Sequence, residues 1–378
     1  MISPSLSIKT AVVIGGGIFG VSTAAQLARM GVSVTLLNDG PLANGASGRS
    51  LAWLNSARRR SLPYHQLRQA GLDRYRVLAD RFPSVDWLSF GGGLTWDAED
   101  DSNEIDDVYR YERELGYQAE LLSGAEVSDS IPGVEGSAVT QAGAILNRNE
   151  GWVDLPSLIR ILADELVGAG GVIVTDAGRA EPTVRDGRAC GASTQDGRAF
   201  PADAVLMATG PAVPAMSAAQ GITIGDDTPI ALLVETEPAP HPLRTVLNTP
   251  RVAIRPTPNG AFYLDSGWSE EEVILHADGR FEAPASTVQG LIDEALKVMS
   301  PKPDLTVKAV HLGPKPIPGD GEPVFGELQR LPGCFVAFSH SGATLGLIAG
   351  ELLAEEMALG VRHPLFEGFR PERFALPA

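Results

Sequence analysis

The sequence is poor in cysteine, with two such residues, Cys190 and Cys334, among 378. Two cysteines so far apart exclude a disulfide framework and a zinc pattern, and no other spacing of His, Cys, Asp and Glu is typical of a metal site. Apolar runs are also short, because none reaches the roughly 18 uninterrupted residues of a membrane-spanning helix. The segment 1–10 lacks the apolar core of a signal peptide, so we expect a soluble, cytoplasmic protein.

Basic charge is scarce as well. The chain carries 30 Lys and Arg against 47 Asp and Glu, a formal net charge of −17. Nucleic acids and anionic membranes are bound chiefly by Lys and Arg that neutralise phosphates, so this balance disfavours both as partners. The dense basic cluster Arg58–Arg60 fits a solvated loop and a binding role equally well. We therefore expect a small-molecule partner.

The N-terminal part of the sequence contains a βαβ pattern. Ala11–Ile14 is a short apolar run typical of a buried parallel strand. A glycine turn follows, then Val21–Ala28 with apolar residues at helical spacing, and Gly31 ends that helix. Val32–Leu37 predicts the next strand. This unit predicts an α/β protein with a Rossmann-type nucleotide-binding domain.

The glycine turn has the spacing of a dinucleotide-binding motif, Gly-x-Gly-x-x-Gly. Gly15 permits the tight turn, Gly17 leaves room for a pyrophosphate, and Gly20 lets the helix pack close to the strand. Ile18 and Phe19 lie between these glycines at the helix N-terminus, where free N–H groups and the helix dipole attract phosphates. The pattern is weak alone, but here it follows a strand and opens a helix.

The second strand ends at Asn38, with Asp39 next. An acidic residue usually stands at this place and accepts hydrogen bonds from the ribose of the adenosine. The oxygen of an Asn side chain also accepts from a hydroxyl, so we expect Asn38 or Asp39 to contact the ribose.

Further elements follow from apolar periodicity and from turn residues. The Asp-Gly-Arg turns at 186–188 and 196–198 predict hairpins, and the prolines between Pro229 and Pro258 predict loops and edge strands. The predicted helices are Tyr64–Phe82, Ile105–Leu115, one from Asp154 to Gly170, Val288–Met299 and Thr344–Leu359. The predicted strands are Phe90–Trp96, Val172–Thr175, Val205–Thr209 and Cys334–Phe338.

Several later motifs, in their order and spacing, are similar to those of the D-amino acid oxidase superfamily, which includes glycine oxidase and sarcosine oxidase. They are Ala46-Ser47-Gly48-Arg49-Ser50, Gly151-Trp152-Val153-Asp154, Ala208-Thr209-Gly210-Pro211, Gly313–Gly321 and His340-Ser341-Gly342-Ala343-Thr344. The resemblance implies FAD as the cofactor and oxidation of a C–N bond. It also implies a discontinuous FAD domain (1–90, 150–218, 308–378) and an α+β substrate domain with an antiparallel sheet (91–149, 219–307).

The resemblance and the residue types together indicate the flavin contacts. Ser47, Arg49 and Ser50, with Ala46, offer hydroxyl, cationic and backbone donors to pyrophosphate and ribityl oxygens. Val174 ends a strand and is a candidate for contact with the adenine or simply a core residue. The motif at Thr209 and Gly210 is expected to line the same site.

A strand, a turn and a helix start follow one another at the end of the chain. Backbone N–H groups of Gly342, Ala343 and Thr344, after Ser341, would stabilise negative charge on the reduced flavin if that helix points at it. His340 either contributes to the site or caps the helix. We expect non-covalent FAD, since relatives tether it through a Cys near 313–315 or a His near 46–50, and this chain has neither.

A substrate carboxylate needs a cation when it enters a desolvated pocket. Lys315 stands where relatives such as glycine oxidase carry an Arg; it is predicted to bind the carboxylate, to act on the flavin or oxygen, or to be a bystander. Arg255 and Arg58–Arg60 are other candidate cations. Tyr64, His65, Tyr263 and Trp268 are candidate pocket walls.

The resemblance favours hydride transfer from the carbon of a neutral amine to flavin N5, which gives an imine that hydrolyses. A dehydrogenase that passes electrons to an acceptor other than oxygen is the alternative. A nucleic-acid-associated flavoprotein and a non-catalytic flavin subunit are hypotheses of other classes, and the charge of the chain counts against the first.

Overall fold

We describe a computed structural model of the chain that covers residues 6–374. Segments 1–5 and 375–378, which belong to the predicted ranges 1–90 and 308–378, lie outside the described residues. Across 6–374, no helix combines the length and the apolar composition that crossing a membrane requires. In the same part of the chain, no group of three or more His, Cys, Asp and Glu could hold a metal ion.

A six-stranded, mainly parallel sheet forms one half of the molecule. Ile14, Leu37 and Met207 lie in register on neighbouring strands, so the carboxyl ends of these strands meet at one edge. Apolar side chains cover both faces of the central strands, as a buried parallel sheet requires. In spatial order the strands are β21 (Val324–Glu327), β22 (Cys334–Phe338), β13 (Ala204–Met207), β1 (Thr10–Ile14), β2 (Ser33–Leu37) and β9 (Val172–Val174).

Helices pack on one face of this sheet, and their ends follow signals in the sequence. Asp154 accepts a hydrogen bond from the N–H of Ser157 (3.1 Å) and caps one helix. Ser61 caps another by accepting from the N–H of Tyr64 (3.3 Å). These helices are α1 (Ile18–Arg29), α2 (Leu62–Arg81), α5 (Leu155–Gly168) and α9 (Gly342–Leu359).

Smaller elements cover the rest of this half. The predicted hairpins are confirmed, because the Asp-Gly turns at 186–187 and 196–197 join three antiparallel strands. These strands are β10 (Ala180–Arg185), β11 (Arg188–Thr194) and β12 (Ala199–Pro201), and α6 (Val213–Ala218) packs nearby. A further small sheet has the order β3 (Trp53–Leu54), β8 (Gly151–Val153), β4 (Leu88–Ser89).

An eight-stranded, mainly antiparallel sheet forms the other half around its own apolar core. In spatial order its strands are β20 (Val307–Pro314), β14 (Ile230–Thr236), β17 (Phe262–Asp265), β16 (Ala253–Pro256), β15 (Val246–Asn248), β5 (Gly93–Thr95), β7 (Ala144–Asn147) and β6 (Ala119–Leu122). With it go α3 (Ile105–Glu114), α4 (Gly124–Ser130), α7 (Gly267–Glu271), α8 (Ala285–Val298) and the hairpin of β18 (Ile274–Leu275) and β19 (Phe281–Glu282). The α/β fold with a Rossmann-type part and an α+β part is confirmed.

Two details differ from the prediction. The boundary at 308 is misplaced, because β20 pairs with β14 in the second sheet rather than joining the first. The proline-rich stretch is also not confined to loops and edges, since β14, β15 and β16 are bonded to strands on both sides. Its prolines stand in loops or at strand ends, such as Pro229 before β14, where no ladder hydrogen bond is lost. Otherwise the division into two domains stays a prediction.

Candidate active site

A cavity of about 750 Å³ lies between the two large sheets. Ile14, Leu37 and Ala208 line it at the carboxyl edge of the parallel sheet, and Leu232 and Ala253 line it from the antiparallel sheet. In open α/β sheets, ligands bind outside the carboxyl ends of the strands. The cavity therefore stands where the fold predicts a cofactor, with a second sheet closing its far side.

The glycine turn has the geometry that its sequence predicts. Gly15 has φ +118°, and a Cβ on it would lie 2.3 Å from the carbonyl oxygen of Ala208. A Cβ on Gly20 would lie 1.9 Å from the carbonyl oxygen of Gly15, so Gly20 serves close packing and does not line the cavity. A Cβ on Gly17 would approach only Ser47 Oγ, at 3.3 Å. The space beside Gly17 is thus open to a ligand.

Two helices begin at this cavity without a capping side chain. Gly17 is the N-cap of α1 and Ser341 is the N-cap of α9, and neither helix has a side-chain cap hydrogen bond. Ile18, Phe19, Gly342, Ala343 and Thr344 of their first turns line the cavity. The free N–H groups and positive ends of two helix dipoles therefore meet there.

Asn38 departs from the expected role. Its Oδ1 accepts a hydrogen bond from the N–H of Gly16 (2.8 Å), and its Nδ2 donates to the carbonyls of Gly40 and Pro41 (2.9 Å each). The amide is thus already engaged in tying the glycine turn to the next loop. Asp39 is exposed and lines the cavity, which leaves its carboxylate available to a ribose.

The segment Ala46–Ser50 lines the cavity beside the glycine turn. Ser47 Oγ accepts from the N–H of Ile18 (3.1 Å), which ties this segment to the start of α1. Arg49 Nη1 donates to the carbonyl of Asn44 (2.7 Å), and burial lowers the pKa of its guanidinium. A Cβ on Gly313 would lie 2.6 Å from Arg49 Nη2, so Gly313 makes room for this cation.

Most of the predicted cofactor residues come together at this cavity, although their contacts with a cofactor stay predictions. Val174 does not line it; its side chain packs in the core, and its carbonyl accepts from the N–H of Asn38 (2.9 Å). The segment 178–180, which the sequence did not single out, lines the cavity near Leu37 instead. The predicted residues that line it are Gly15, Gly17, Ile18, Phe19, Asn38, Asp39, Ala46, Ser47, Arg49, Ser50, Thr209, Gly210, Ser341, Gly342, Ala343 and Thr344.

Lys315 lines the cavity, but an acidic partner holds it. Its Nζ donates to both carboxylate oxygens of Glu270, at 2.5 and 2.6 Å. Asp265, at the end of β17, lines the same part of the cavity. Burial raises the pKa of Asp265 to about 7, Glu270 raises it too, and Lys315 lowers it.

Arg60, one of the three candidate arginines in 58–60, also lines the cavity. Among residues 6–374, its guanidinium has no carboxylate within salt-bridge distance and no hydrogen-bond acceptor, and its buried Nε lacks a partner. Burial lowers its pKa to about 10, with Arg68 adding to the effect. By contrast, Arg58 pairs with Asp97, and Arg59 is half-exposed beside Asp107.

His340 and Arg68 complete this end of the cavity. Desolvation by the surrounding cavity wall, followed by the charges of Lys315, Arg68 and Arg60, lowers the pKa of His340, whose side chain is exposed to the open cavity. Arg68 was not predicted. Its Nε and Nη2 donate to the backbone and side-chain oxygens of Asn55 (2.8 and 2.7 Å), and its Nη1 donates to Ser341 Oγ. It therefore holds the start of α9 in place.

Arg255 does not reach the cavity. Its Nε donates to the carbonyl of Leu51 (2.8 Å), and its guanidinium lies over the rings of Trp152 and Tyr263. The residue is 1% exposed, so no room is left beside it for a substrate carboxylate. The four predicted aromatic walls, Tyr64, His65, Tyr263 and Trp268, do not line the cavity either.

The chain belongs to a known family of redox enzymes. Residues 10–356 match the family described as "FAD dependent oxidoreductase". The resemblance inferred from the sequence motifs is thereby confirmed, and so is FAD as the cofactor.

Curated relatives match this chain over different lengths. Anaerobic glycerol-3-phosphate dehydrogenase subunit A1 of Haloferax volcanii is 33% identical over 121 residues, which are 32% of this chain and 20% of the relative. A tRNA 5-methylaminomethyl-2-thiouridine biosynthesis bifunctional protein of Pseudomonas paraeruginosa is 30% identical over 43% of this chain. The second match covers 24% of that relative. The segments that match this chain are therefore only a minor part of each of these two relatives. Glycine oxidase of Geobacillus kaustophilus is 25% identical over 91% of each chain.

Solved structures show the same fold over nearly the whole chain. L-proline dehydrogenase from P. horikoshii superimposes with a TM-score of 0.80 at 18% identity, covering 98% of each chain. Glycine oxidase from Geobacillus kaustophilus superimposes with a TM-score of 0.77 at 21% identity, covering 98% of this chain and 99% of that one.

The residues present fit FAD. The cavity volume of about 750 Å³ lies in the range of cofactor sites. The open space beside Gly17 and the N-terminus of α1 suit a pyrophosphate, with Arg49 as a nearby cation. The N-terminus of α9, steadied by Arg68, suits an electron-rich ring system.

Proposed function

We propose that the protein oxidises the C–N bond of an amino acid or a related amine, with FAD held non-covalently. Bound FAD supplies the acceptor for a hydride from the substrate carbon. The observation that carries the proposal is the Arg60 guanidinium, which lines the cavity without an acidic partner among residues 6–374. A desolvated cation in such a position suits a substrate carboxylate.

The proposal assigns different roles to Arg60 and Lys315, the two candidate substrate cations that line the cavity. Arg60 is available to an incoming carboxylate, whereas Lys315 already forms an ion pair with Glu270. Arg68 is taken up by Asn55 and Ser341 and acts as a positioning residue. The pKa of His340 is lowered by desolvation and by the charges of Lys315, Arg68 and Arg60, which favours a neutral ring that offers hydrogen bonds without competing for the carboxylate.

The electron acceptor has two candidates, oxygen and a separate carrier. Proteins named glycine oxidase and proteins named dehydrogenase both stand among the similar proteins, which supports either chemistry. A role on tRNA, suggested by the name of one relative, is disfavoured by the net charge of −17.

The test is made on the purified protein. We expect it to be yellow and to release FAD into the supernatant on acid precipitation, because neither cysteine lines the cavity within residues 6–374. Anaerobic mixing with a panel of D- and L-amino acids, N-methyl amino acids and simple amines should bleach the flavin for at least one class. Flavin retained in the pellet contradicts non-covalent binding, and no bleaching by any member of the panel contradicts the proposed substrate class.

A further inference from the structure

Asp265 is a partly buried acid that the rest of the cavity leaves unused. It stands at the end of β17, close to Lys315 after β20 and Glu270 on α7, and all three line the cavity. Lys315 Nζ is engaged by both oxygens of Glu270. Across residues 6–374, the Asp265 carboxylate has neither a hydrogen-bond donor nor a salt-bridge partner. It faces the cavity and is available to a ligand there.

The groups around Asp265 determine the pH at which its carboxyl group ionises. Burial raises its pKa to about 7, the Glu270 carboxylate adds to the rise, and the Lys315 ammonium opposes it. Arg255 and Tyr263 stack on each other nearby. Across the same sheet, Glu235 on β14 binds Lys308 and His311 on β20. Those groups are paired with one another, so the charges that act on the pKa of Asp265 are mainly those of Glu270 and Lys315.

We propose that Asp265 is a catalytic residue that binds the amino group of the substrate and removes its ammonium proton. The inference rests on the proposed function, because only a neutral amine has the free electron pair that oxidation of the C–N bond requires. One N–H bond of the ammonium breaks and leaves its electron pair on nitrogen. The proton forms an O–H bond on the Asp265 carboxylate and then passes to water.

The neighbours of Asp265 are less suited to this task. The Glu270 carboxylate is neutralised by Lys315. Desolvation and the charges of Lys315, Arg68 and Arg60 lower the pKa of His340 and make it a weaker base than an ordinary imidazole. Asp265, with a pKa near the working pH, combines an available anion with the proton affinity that efficient general base catalysis needs.

The placement of Asp265 also complements Arg60. Arg60 lines the cavity from the segment that follows β3, and Asp265 lines it from the antiparallel sheet. An amino acid is a zwitterion, so one cavity with an available cation and an available anion offers a partner to each of its charges. This arrangement favours α-amino acids and N-alkyl amino acids over uncharged alcohols or acids without an amine.

The first test measures binding without oxidation. Trimethylglycine and 3,3-dimethylbutanoate have the same shape and the same carboxylate, but only the first carries a positive charge. By calorimetry on the FAD-loaded protein at pH 8, we expect trimethylglycine to bind about 30-fold more tightly. Asp265→Asn should abolish that difference, whereas Asp129→Asn, on the exposed face of α4, should keep it. Trimethylglycine that binds no better than its uncharged partner overturns the inference.

The second test measures proton removal. In anaerobic stopped-flow experiments with an amine that bleaches the wild type, the rate constant of flavin reduction should rise with pH through about 7, where Asp265 ionises. Asp265→Asn should be about 100-fold slower at pH 7 and should recover towards the wild-type rate as the pH approaches that of the free amine. An unchanged pH profile in this variant overturns the inference. Absence of bleaching in the wild type overturns the proposed function instead, while the calorimetric comparison still tests the ammonium site.

Discussion

At the scale of single residues, Arg59 and Arg60 are neighbours in sequence with different surroundings. Arg59 is 53% exposed with Asp107 3.7 Å away, whereas Arg60 lines the cavity and burial lowers its pKa to about 10. Removing Arg60 leaves a bound carboxylate without its cation in a desolvated site. We expect Arg60→Met to lower kcat/KM for an amino acid about 30-fold or more.

The matched control for Arg60 is Arg59→Met, which removes an exposed charge one residue away and should leave kcat/KM nearly unchanged. The corresponding amine without a carboxylate should lose little activity in either variant, since it has no anion for Arg60 to bind. Equal losses for the amino acid and for the amine contradict a role in carboxylate binding. Steady-state kinetics on both substrates make the comparison.

Asn38 gives a second prediction at this scale. Its side chain accepts from the N–H of Gly16 and donates to two loop carbonyls, those of Gly40 and Pro41. A carboxylate keeps the first bond but faces the two carbonyls with lone pairs, which is repulsive. We expect Asn38→Asp to weaken FAD binding about 10-fold, at roughly 1.4 kcal/mol. The dissociation constant of FAD measured by fluorescence tests this, and tighter binding in the variant contradicts it.

Some site residues could be predicted from the sequence and others could not. The difference is whether a local motif or only the folded structure determines their contacts. The glycines of the turn were predictable because a short motif fixes their roles locally. The pairing of Lys315 with Glu270 was not, because these residues lie on different elements, and only the fold brings them together. The same holds for Arg68, whose partners Asn55 and Ser341 stand far apart along the chain.

At the scale of elements, the parallel sheet was predictable and most of the antiparallel sheet was not. Strands such as β1, β13 and β22 are continuous apolar runs, because helices or strands cover both faces of the sheet. Strands such as β6 and β20 alternate or carry exposed residues, and their pairing depends on partners distant in sequence. Strands of this kind lack a periodic signal strong enough to separate them from loops.

The site depends on the packing of helix α1 against helix α9. Both helices begin at the cavity, and α9 approaches α1 through small residues. A Cβ on Gly350 would lie 2.1 Å from Ser22 Oγ and 2.9 Å from its backbone carbonyl carbon. We expect Gly350→Ala to push the helices apart and to cost about 1–3 kcal/mol of stability. The melting temperature and the FAD content should both fall.

Gly168→Ala is the control for this packing. Gly168 is the last residue of α5, and a Cβ there would meet nothing within 4 Å. Alanine is the better helix former by about 0.5–1 kcal/mol, so this variant should be as stable as the wild type or slightly more so. If the Gly350→Ala variant melts at the wild-type temperature, as the Gly168→Ala control is expected to do, the close packing of α1 and α9 is contradicted.

At the scale of the whole molecule, buried acids lie where the two halves meet. Glu150 is 0% exposed and stands between β7 of the antiparallel sheet and β8 of a small sheet in the other half. The hydroxyl of Tyr117 and the N–H of Ser56 donate to its Oε1, but its Oε2 has no partner among residues 6–374. Burial raises the pKa of Glu150 to about 8, with the charge of Glu112 adding to the rise.

This raised pKa links the stability of the whole molecule to pH. Between its ordinary pKa of 4.5 and about 8, Glu150 holds a proton in the folded state and has lost it in the unfolded state. The folded state therefore binds more protons, and stability falls as the pH rises through this window, by up to about 1.4 kcal/mol per unit. Below pH 4.5 both states are protonated, and Glu150 adds no further dependence.

Glu150→Gln replaces the acid with a neutral side chain of nearly the same shape, so this pH dependence should disappear from the variant. We expect its melting temperature, relative to the wild type, to rise steadily from pH 5 to pH 8, since only the wild type has to hold a proton or bury a charge. Thermal unfolding at several pH values, with the exposed Glu114→Gln as the control, makes the measurement. If the difference in melting temperature between variant and wild type is the same at pH 5 and at pH 8, a protonated Glu150 at the junction is contradicted. A proton that only the folded wild type binds must change the stability of the wild type, relative to the variant, as the pH rises.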